Sequence, residues 1–410
     1  MKRVGKLLKK ITFLHAADLH LDSPFVGLSS APNRIFKDIQ ESTFKALDNL
    51  VSEAIRRQVD FVLLVGDLFD HDVQSLKAQV RLREAFEKLA REKIDVFLSY
   101  GNHDFAAGNV HFVSFPENVH VFPDEKVTSF SYVKEGEILA NIYGFSYEQR
   151  VIKENKAKLF KIENNEVPFH IAMLHGSIKS NVEHDVYAPF QLSDLRKEPF
   201  NYWALGHIHK REILSTEPYV VYPGNTQGRH RKELGKKGCY FVEMDEKETK
   251  LQFVPLQAIT FESIIFDLAN YHDFYEAKEA LIEKLTNIKT DTPLLIDLEI
   301  HPSESLSLEE ESDLEEFIEF VHEDTLHEKH WKYIFSVRLK QNESDTLPIG
   351  EHFIAQLLSE FEQIDIEESV ESLFNHRQGR NYITSLTEEE IAEIKEQAKN
   401  VLLKGFKMGR

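Results

Sequence analysis

Five short polar motifs, each closing a short apolar run, constrain this chain more than any other feature. They are Asp18-Leu19-His20, Gly66-Asp67, Gly101-Asn102-His103-Asp104, His175-Gly176 and Gly206-His207-Ile208-His209. The runs before them, Ile11–His15, Phe61–Val65, Val96–Tyr100, Ile171–Leu174 and Tyr202–Leu205, read as buried strands. Between strands, 36–57 and 75–92 carry apolar residues at helical spacing, such as Phe44, Leu47, Leu50, Val51 and Ala54. Strand–helix alternation predicts a layered α/β domain with helices outside the sheet. Side chains at the carboxyl ends of its strands converge on one rim, so five scattered motifs become one site.

Asp, His and Asn are hard and borderline ligands that suit paired divalent metals. Two adjacent metals can hold a phosphodiester, generate hydroxide and stabilise the leaving oxygen. Asp18 and His20, two residues apart at a strand end, can face one side and bind one metal. The Asp67 carboxylate has two oxygens and can bridge two cations, and Gly66 lets the backbone approach closely. Asn102 offers a neutral oxygen, which keeps the site from becoming too anionic to accept phosphate. His103 is not needed as a ligand, and its pKa range suits proton donation to a leaving alkoxide. Asp104 either orients that imidazole or caps a turn. His175 and His207 are single imidazoles after apolar strands, where structural histidines are common. The alternate pair His207 and His209 shifts that reading toward a metal site.

A chain of 410 residues predicts two or three domains. No apolar run reaches the ~18–20 residues needed to span a bilayer. The basic start is followed by too short an apolar stretch for a signal peptide. The single cysteine, Cys239, excludes an internal disulfide and a thiolate metal cage, and fits a reducing cytoplasm. The net charge of −20 is unevenly placed. Residues 1–255 hold 35 Lys and Arg against 35 Asp and Glu, whereas 256–374 hold 7 against 29. That acidic stretch would repel DNA unless its acidic face points elsewhere, and a solvated surface is its plain interpretation.

Pro255 marks a change of pattern. Phe261–Leu268, Leu294–Ile300 and Tyr333–Leu339 read as strands, and 272–287 and 308–322 as helices. The expected organisation is a metal-binding domain at 1–255, an acidic α+β cap at 256–345 and a helical segment at 346–410. In the last segment Ile391, Ile394, Ala398, Val401 and Leu402 form an apolar stripe at helical spacing.

The motif set resembles the calcineurin-like metallophosphoesterase superfamily. Within it the chain is similar to the SbcD-type DNA repair exonucleases, most of all to the YhaO group of bacterial proteins. The resemblance is carried by His15-Ala16-Ala17-Asp18-Leu19-His20-Leu21-Asp22-Ser23-Pro24-Phe25, Gly66-Asp67-Leu68-Phe69-Asp70 and the three later motifs. Tyr222-Pro223-Gly224-Asn225 and Gly235-Lys236-Lys237-Gly238 extend it. It implies a layered metallophosphoesterase sandwich, with a cap and a helical arm behind it. It also implies one metal held by Asp18, His20, Asp67 and His209, and another by Asp67, Asn102, His175 and His207. His103 would stabilise the transition state or donate the proton. Manganese is common in the family, and the ligand set also permits iron or zinc.

Two basic clusters lie in loops just past strand ends, Lys210 with Arg211, and Arg229 with Arg231 and Lys232. They are candidates to hold a nucleic-acid backbone, with ordinary solvated side chains as the alternative. The resemblance implies DNA as substrate, an SbcC-like coiled-coil ATPase docked by the C-terminal segment, and a homodimer. The stripe at 391–402 fits helix-in-groove recognition or packing on the chain's own domain. Two rival readings remain open on the sequence. One is a small-molecule phosphodiesterase or phosphoprotein phosphatase on the same core, and the other a non-catalytic scaffold for the ATPase.

Overall fold

The computed structural model describes residues 9–25, 27–70, 74–105, 113–179, 187–303, 306, 311–340, 351–366, 369, 391, 394, 395, 398, 399 and 402. The chain divides into two units, Met1–Leu339 and Lys340–Arg410. Among the described residues no helix is long and apolar enough to cross a membrane.

The first unit is built on two six-stranded sheets. One contains β1 (Lys10–Ala16), β2 (Phe61–Val65), β3 (Asp95–Ser99), β4 (Val119–Val121), β11 (Gly238–Asp245) and β12 (Thr249–Pro255), in the order β12-β11-β1-β2-β3-β4. The other contains β5 (Thr128–Lys134), β6 (Glu137–Gly144), β7 (Phe169–His175), β8 (Tyr202–Gly206), β9 (Glu212–Thr216) and β10 (Tyr219–Tyr222), in the order β5-β6-β7-β8-β10-β9. In the first sheet β1 to β4 run parallel, with β11 and β12 added in antiparallel pairings; in the second β6, β7, β8 and β10 run parallel, with β5 and β9 antiparallel at the edges. Parallel central strands explain why the motif-bearing runs are apolar throughout, since both of their faces are covered.

The inner faces meet in one core. Phe13, Phe61, Leu63 and Phe97 come from the first sheet, and Ile142, Ile171, Met173, Tyr202 and Ala204 from the second. Phe13 and Phe61 stack with centroids 5.1 Å apart. Each such side chain contributes about 1.5–3 kcal/mol by leaving water. The outer face of the first sheet is covered by α2 (Ser42–Arg57) and α3 (Leu76–Arg91). The outer face of the second is covered by irregular chain, in which Phe160, Leu195 and Phe200 pack on Trp203 and Leu205. The helical run expected at 36–57 is two helices, α1 (Asn33–Gln40) and α2, interrupted at Glu41. The Ser42 hydroxyl donates to Ile39 O at 2.6 Å there, a side-chain bond that competes with the helix ladder.

Beyond Pro255 lies a three-stranded sheet of β13 (Thr260–Asp267), β14 (Leu294–His301) and β15 (Lys332–Leu339). The sequence suggested an α+β arrangement. All three strands are parallel, with α4 (Phe274–Thr286) and α5 (Glu311–Thr325) in the crossovers, so the arrangement is α/β. One face of the sheet packs under the helices. On the other, Phe261, Leu295, Trp331 and Tyr333 pack against Phe25, Leu28, Ile35 and Ile39. Trp331 Nε1 donates to Asp38 at 3.2 Å, which ties this sheet to α1.

The second unit contains α6 (Glu351–Glu362). In the expected stripe, Ile391, Ile394, Ala398 and Leu402 are helical and half-buried, and Val401 lies outside the described residues.

Candidate metal centre

The carboxyl ends of β1, β2 and β3 supply Asp18, His20, Asp67 and Asn102, and those of β7 and β8 supply His175, His207 and His209. Backbone bonds join the turns: Asp18 N donates to Gly66 O at 3.2 Å and His20 N to Asp67 O at 3.0 Å. Asp18, His20, Asp67 and His207 all have positive φ, at 52°, 42°, 48° and 95°. Four non-glycine residues in a disfavoured region at one rim are backbone strain stored where the side chains must converge. Gly66 and Gly206 are required by closeness. A Cβ at Gly66 would lie 2.1 Å from His175 Nδ1, and one at Gly206 would lie 2.0 Å from Val65 O.

Two ligand groups result, Asp18 with His20 and His209, and Asp67 with His175 and His207. Within each group the candidate ligand atoms lie within 4.8 Å of one another. Asp67 Oδ2 stands between the groups, 3.4 Å from His175 Nε2 and 3.8 Å from His20 Nε2. Asn102 Oδ1 is 2.9 Å from His175 Nε2 and 3.2 Å from His207 Nδ1. Asp18, His20, Asp67, Asn102 and His175 are at most 2% exposed.

The donor set of this cluster fits cations. His175 Nδ1 faces Val65 O at 3.1 Å and must donate to it. Its Nε2 faces Asn102 Oδ1 at 2.9 Å and Asp67 Oδ2 at 3.4 Å, and is the nitrogen that would give up its proton to hold an ion. His209 Nδ1 donates to Glu233 at 2.6 Å, and its Nε2 faces His20 Nε2 at 3.1 Å. Imidazole nitrogens and carboxylate oxygens converging in a buried space are the donors that a divalent cation takes.

Titration follows the same crowding. Burial disfavours the His175 imidazolium, but Asp67 and Asp18 outweigh it and raise its pKa to about 9. Burial also works against the Asp67 carboxylate, yet the imidazoles of His175, His103 and His20 hold it well below the usual range. Burial lowers His20 and His207 to about 3 and raises Asp18 to about 6. His207 N donates to both Asp18 oxygens, at 3.0 and 3.1 Å.

His103 stands at the rim, half-buried, with its ring 5.2 Å from that of His20. Its N–H donates to Asp67 Oδ1 at 3.0 Å, and its Nδ1 lies 3.2 Å from Asp70 O. Burial lowers its pKa, so the imidazole is neutral at pH 7, with the proton on Nδ1.

Of the two alternatives for Asp104, its hydrogen bonds follow the turn-capping one. Its oxygens accept from Leu68 N at 2.5 Å and Gly101 N at 2.6 Å, so it ties the second and third motifs together. The atom that faces His103 Nδ1 is a backbone carbonyl, which no side-chain pattern reveals. Arg229 was a candidate phosphate contact, but its guanidinium turns inward and pairs with Asp70. The remaining basic candidates, Lys210, Arg211, Arg231 and Lys232, are exposed or half-buried, and Arg211 lies over the Phe253 ring at 3.7 Å. Sequence reasoning missed Glu233 and Asp70. Asp70 Oδ1 lies 3.2 Å from His20 Nδ1. Its signal was the Gly66-Asp67-Leu68-Phe69-Asp70 run, whereas Glu233 had none.

Comparison with known proteins agrees with this geometry. The family model for calcineurin-like phosphoesterases matches residues 11–211. The uncharacterized metallophosphoesterase YhaO of Bacillus subtilis is 38% identical, over 98% of this chain and 99% of that protein. The DNA double-strand break repair protein Mre11 of Methanocaldococcus jannaschii is 28% identical, over 67% of this chain and 74% of its own. That of Sulfolobus acidocaldarius is 23% identical, over 70% and 74%. With 38% identity along nearly its whole length, the chain belongs to the calcineurin-like metallophosphoesterases, hydrolases of phosphoester bonds.

Proposed function

We propose that this protein is a two-metal nuclease that hydrolyses DNA phosphodiesters, as a repair exonuclease working with an SbcC-like ATPase. The observation that carries the reading is the pair of buried ligand groups with Asp67 Oδ2 standing between them. Similarity to Mre11 proteins, which runs past the metal-binding core, supports DNA over a small diester as the substrate.

Asp18, His20, Asp67 and His209 would hold one ion, and Asp67, Asn102, His175 and His207 the other. Manganese is the ion we favour for these oxygen and imidazole donors, with iron and zinc also compatible. When bound, such a pair grips a phosphodiester, activates water and neutralises charge on the leaving oxygen. Asp67 draws the two groups together through one oxygen. Asn102 contributes an uncharged oxygen, so an anionic substrate meets less repulsion. His103, with Nδ1 engaged by Asp70 O, would use Nε2 as the proton-transfer atom. Lys210, Arg211, Arg231 and Lys232 would lie along the DNA backbone. The C-terminal segment would dock the ATPase, two copies of the chain would form the working dimer, and the reducing cytoplasm suits its single cysteine.

End-labelled duplex DNA incubated with the protein and Mn²⁺ tests this. The expected outcome is degradation that disappears with EDTA and in Asp67→Asn. Hydrolysis of a generic diester with intact DNA would instead favour the small-molecule reading.

A further inference from the structure

The two ligand groups are backed differently. In the group of Asp67, His175 and His207, the far nitrogen of His175 rests on a neutral backbone carbonyl, Val65 O. In the group of Asp18, His20 and His209, both imidazoles are backed by carboxylates, Asp70 behind His20 and Glu233 behind His209. Glu233 is only 5% exposed and belongs to the loop that follows β10. Its Oε1 accepts from His209 Nδ1 at 2.6 Å. Its Oε2 accepts from Asn225 Nδ2 at 2.8 Å and from Arg229 N at 2.7 Å. His230 Nε2 lies 3.4 Å from Oε1.

Three groups thus converge on one buried carboxylate, His209 at Oε1 and Asn225 with Arg229 at Oε2. We propose that Glu233 is a positioning residue for the metal centre, holding the proton of His209 on Nδ1 so that Nε2 stays free for the ion shared with Asp18 and His20. Because Arg229 pairs with Asp70 while its own N–H is held by Glu233, one loop braces both imidazoles of that group. Carboxylates placed behind metal-binding imidazoles fix the tautomer and raise donor strength, and their loss costs 10–100-fold in affinity.

A glutamine at this position makes the argument sharp. Asn225 and Arg229 would claim its single carbonyl oxygen, turning the NH₂ toward His209 Nδ1. A donor there forces the His209 proton onto Nε2, the nitrogen the ion needs.

The inference rests on the two-ion reading of the site, and the experiment separates the two. The full chain, stripped of metal, is titrated with Mn²⁺ by calorimetry as wild type, Glu233→Gln and His209→Ala. Two binding events are expected in the wild type. Glu233→Gln should weaken one of them about 10–100-fold and leave the other unchanged. His209→Ala should weaken the same event. Equal weakening of both events, or no change in either, would overturn the role of Glu233 while leaving the two-ion reading intact. A wild-type chain that binds no Mn²⁺ would remove both. Should Glu233→Gln fail to fold, ¹⁵N-histidine spectra of the wild type decide. His209 protonated on Nδ1 supports the proposal, and His209 protonated on Nε2 defeats it.

Discussion

His20 Nε2 and His209 Nε2 face each other at 3.1 Å. His209 donates from Nδ1 to Glu233, and His20 has its Nδ1 against Asp70. Both Nε2 atoms therefore converge on one point, and a cation bound there would hold the two rings together. Mn²⁺ should stabilise the fold accordingly. At a concentration 100 times its dissociation constant, one ion adds about 2.7 kcal/mol. Thermal melts of the stripped chain with and without Mn²⁺ should show a raised midpoint that EDTA reverses, and an unchanged midpoint would contradict a cation-ready cluster.

The hydrogen bond that His103 makes to the ligand Asp67 comes from its backbone N–H. Removing its imidazole should leave metal binding intact while proton transfer is lost. His103→Gln should lower kcat by roughly 10²–10⁴ with both Mn²⁺ binding events preserved. If the variant loses a metal, His103 is a ligand rather than a proton carrier.

Asp104 is buried and accepts two backbone N–H groups, from Leu68 and Gly101. Asp104→Ala leaves both donors unpaired, at about 1–3 kcal/mol each. Chemical denaturation should show roughly 2–6 kcal/mol lost, even without metal. A stable variant with impaired catalysis would restore the orienting role that the sequence left open.

The metal-facing half of the site was legible because strand ends write themselves plainly. An apolar run followed by Gly-Asp or His-Gly fixes both the strand and the rim where its next side chain sits, as with Phe61–Val65 and Asp67. The parallel sheet after Pro255 was visible as elements but not as directions, since strand direction depends on crossovers rather than on any one run. The supports behind the ligands were not legible. Glu233 and Asn225 lie in a loop without periodicity, and Val65 O and Asp70 O act through backbone atoms that every residue has. Arg229 was misplaced for the same reason, because a basic residue in a loop reads as exposed until a buried carboxylate is found opposite it.

His15 offers a pH dependence that lies outside the ligand set. Its Nε2 donates to Leu205 O at 3.1 Å and its Nδ1 accepts from the Tyr202 hydroxyl at 3.0 Å, so it is neutral and fully buried. Burial depresses its pKa to about 3, against an ordinary 6.5. The unfolded chain takes up a proton below pH 6.5 that the folded one refuses, so stability falls as pH drops from 6.5 toward 3. By pH 5 the loss from this residue is roughly 2 kcal/mol relative to neutral pH. His15→Gln should be less stable than wild type at pH 7, and the gap should narrow by about that amount at pH 5. A gap independent of pH would mean that His15 ionises in the folded protein.

The basic residues of the two loops separate by where their charges end up. Lys210 and Lys232 are exposed beside the metal rim, whereas Arg229 is committed to Asp70. If both lysines contact DNA phosphates, Lys210→Ala with Lys232→Ala should flatten the salt dependence of duplex binding. The slope of log K against log salt would fall by about 1.8, from roughly 0.9 per phosphate contact. Arg229→Ala should act differently, removing the guanidinium that pairs with the buried Asp70 carboxylate, at roughly 3–5 kcal/mol of stability. Its salt slope should stay that of the wild type. The opposite assignment, a flattened slope in Arg229→Ala with normal stability, would return Arg229 to the DNA-facing surface.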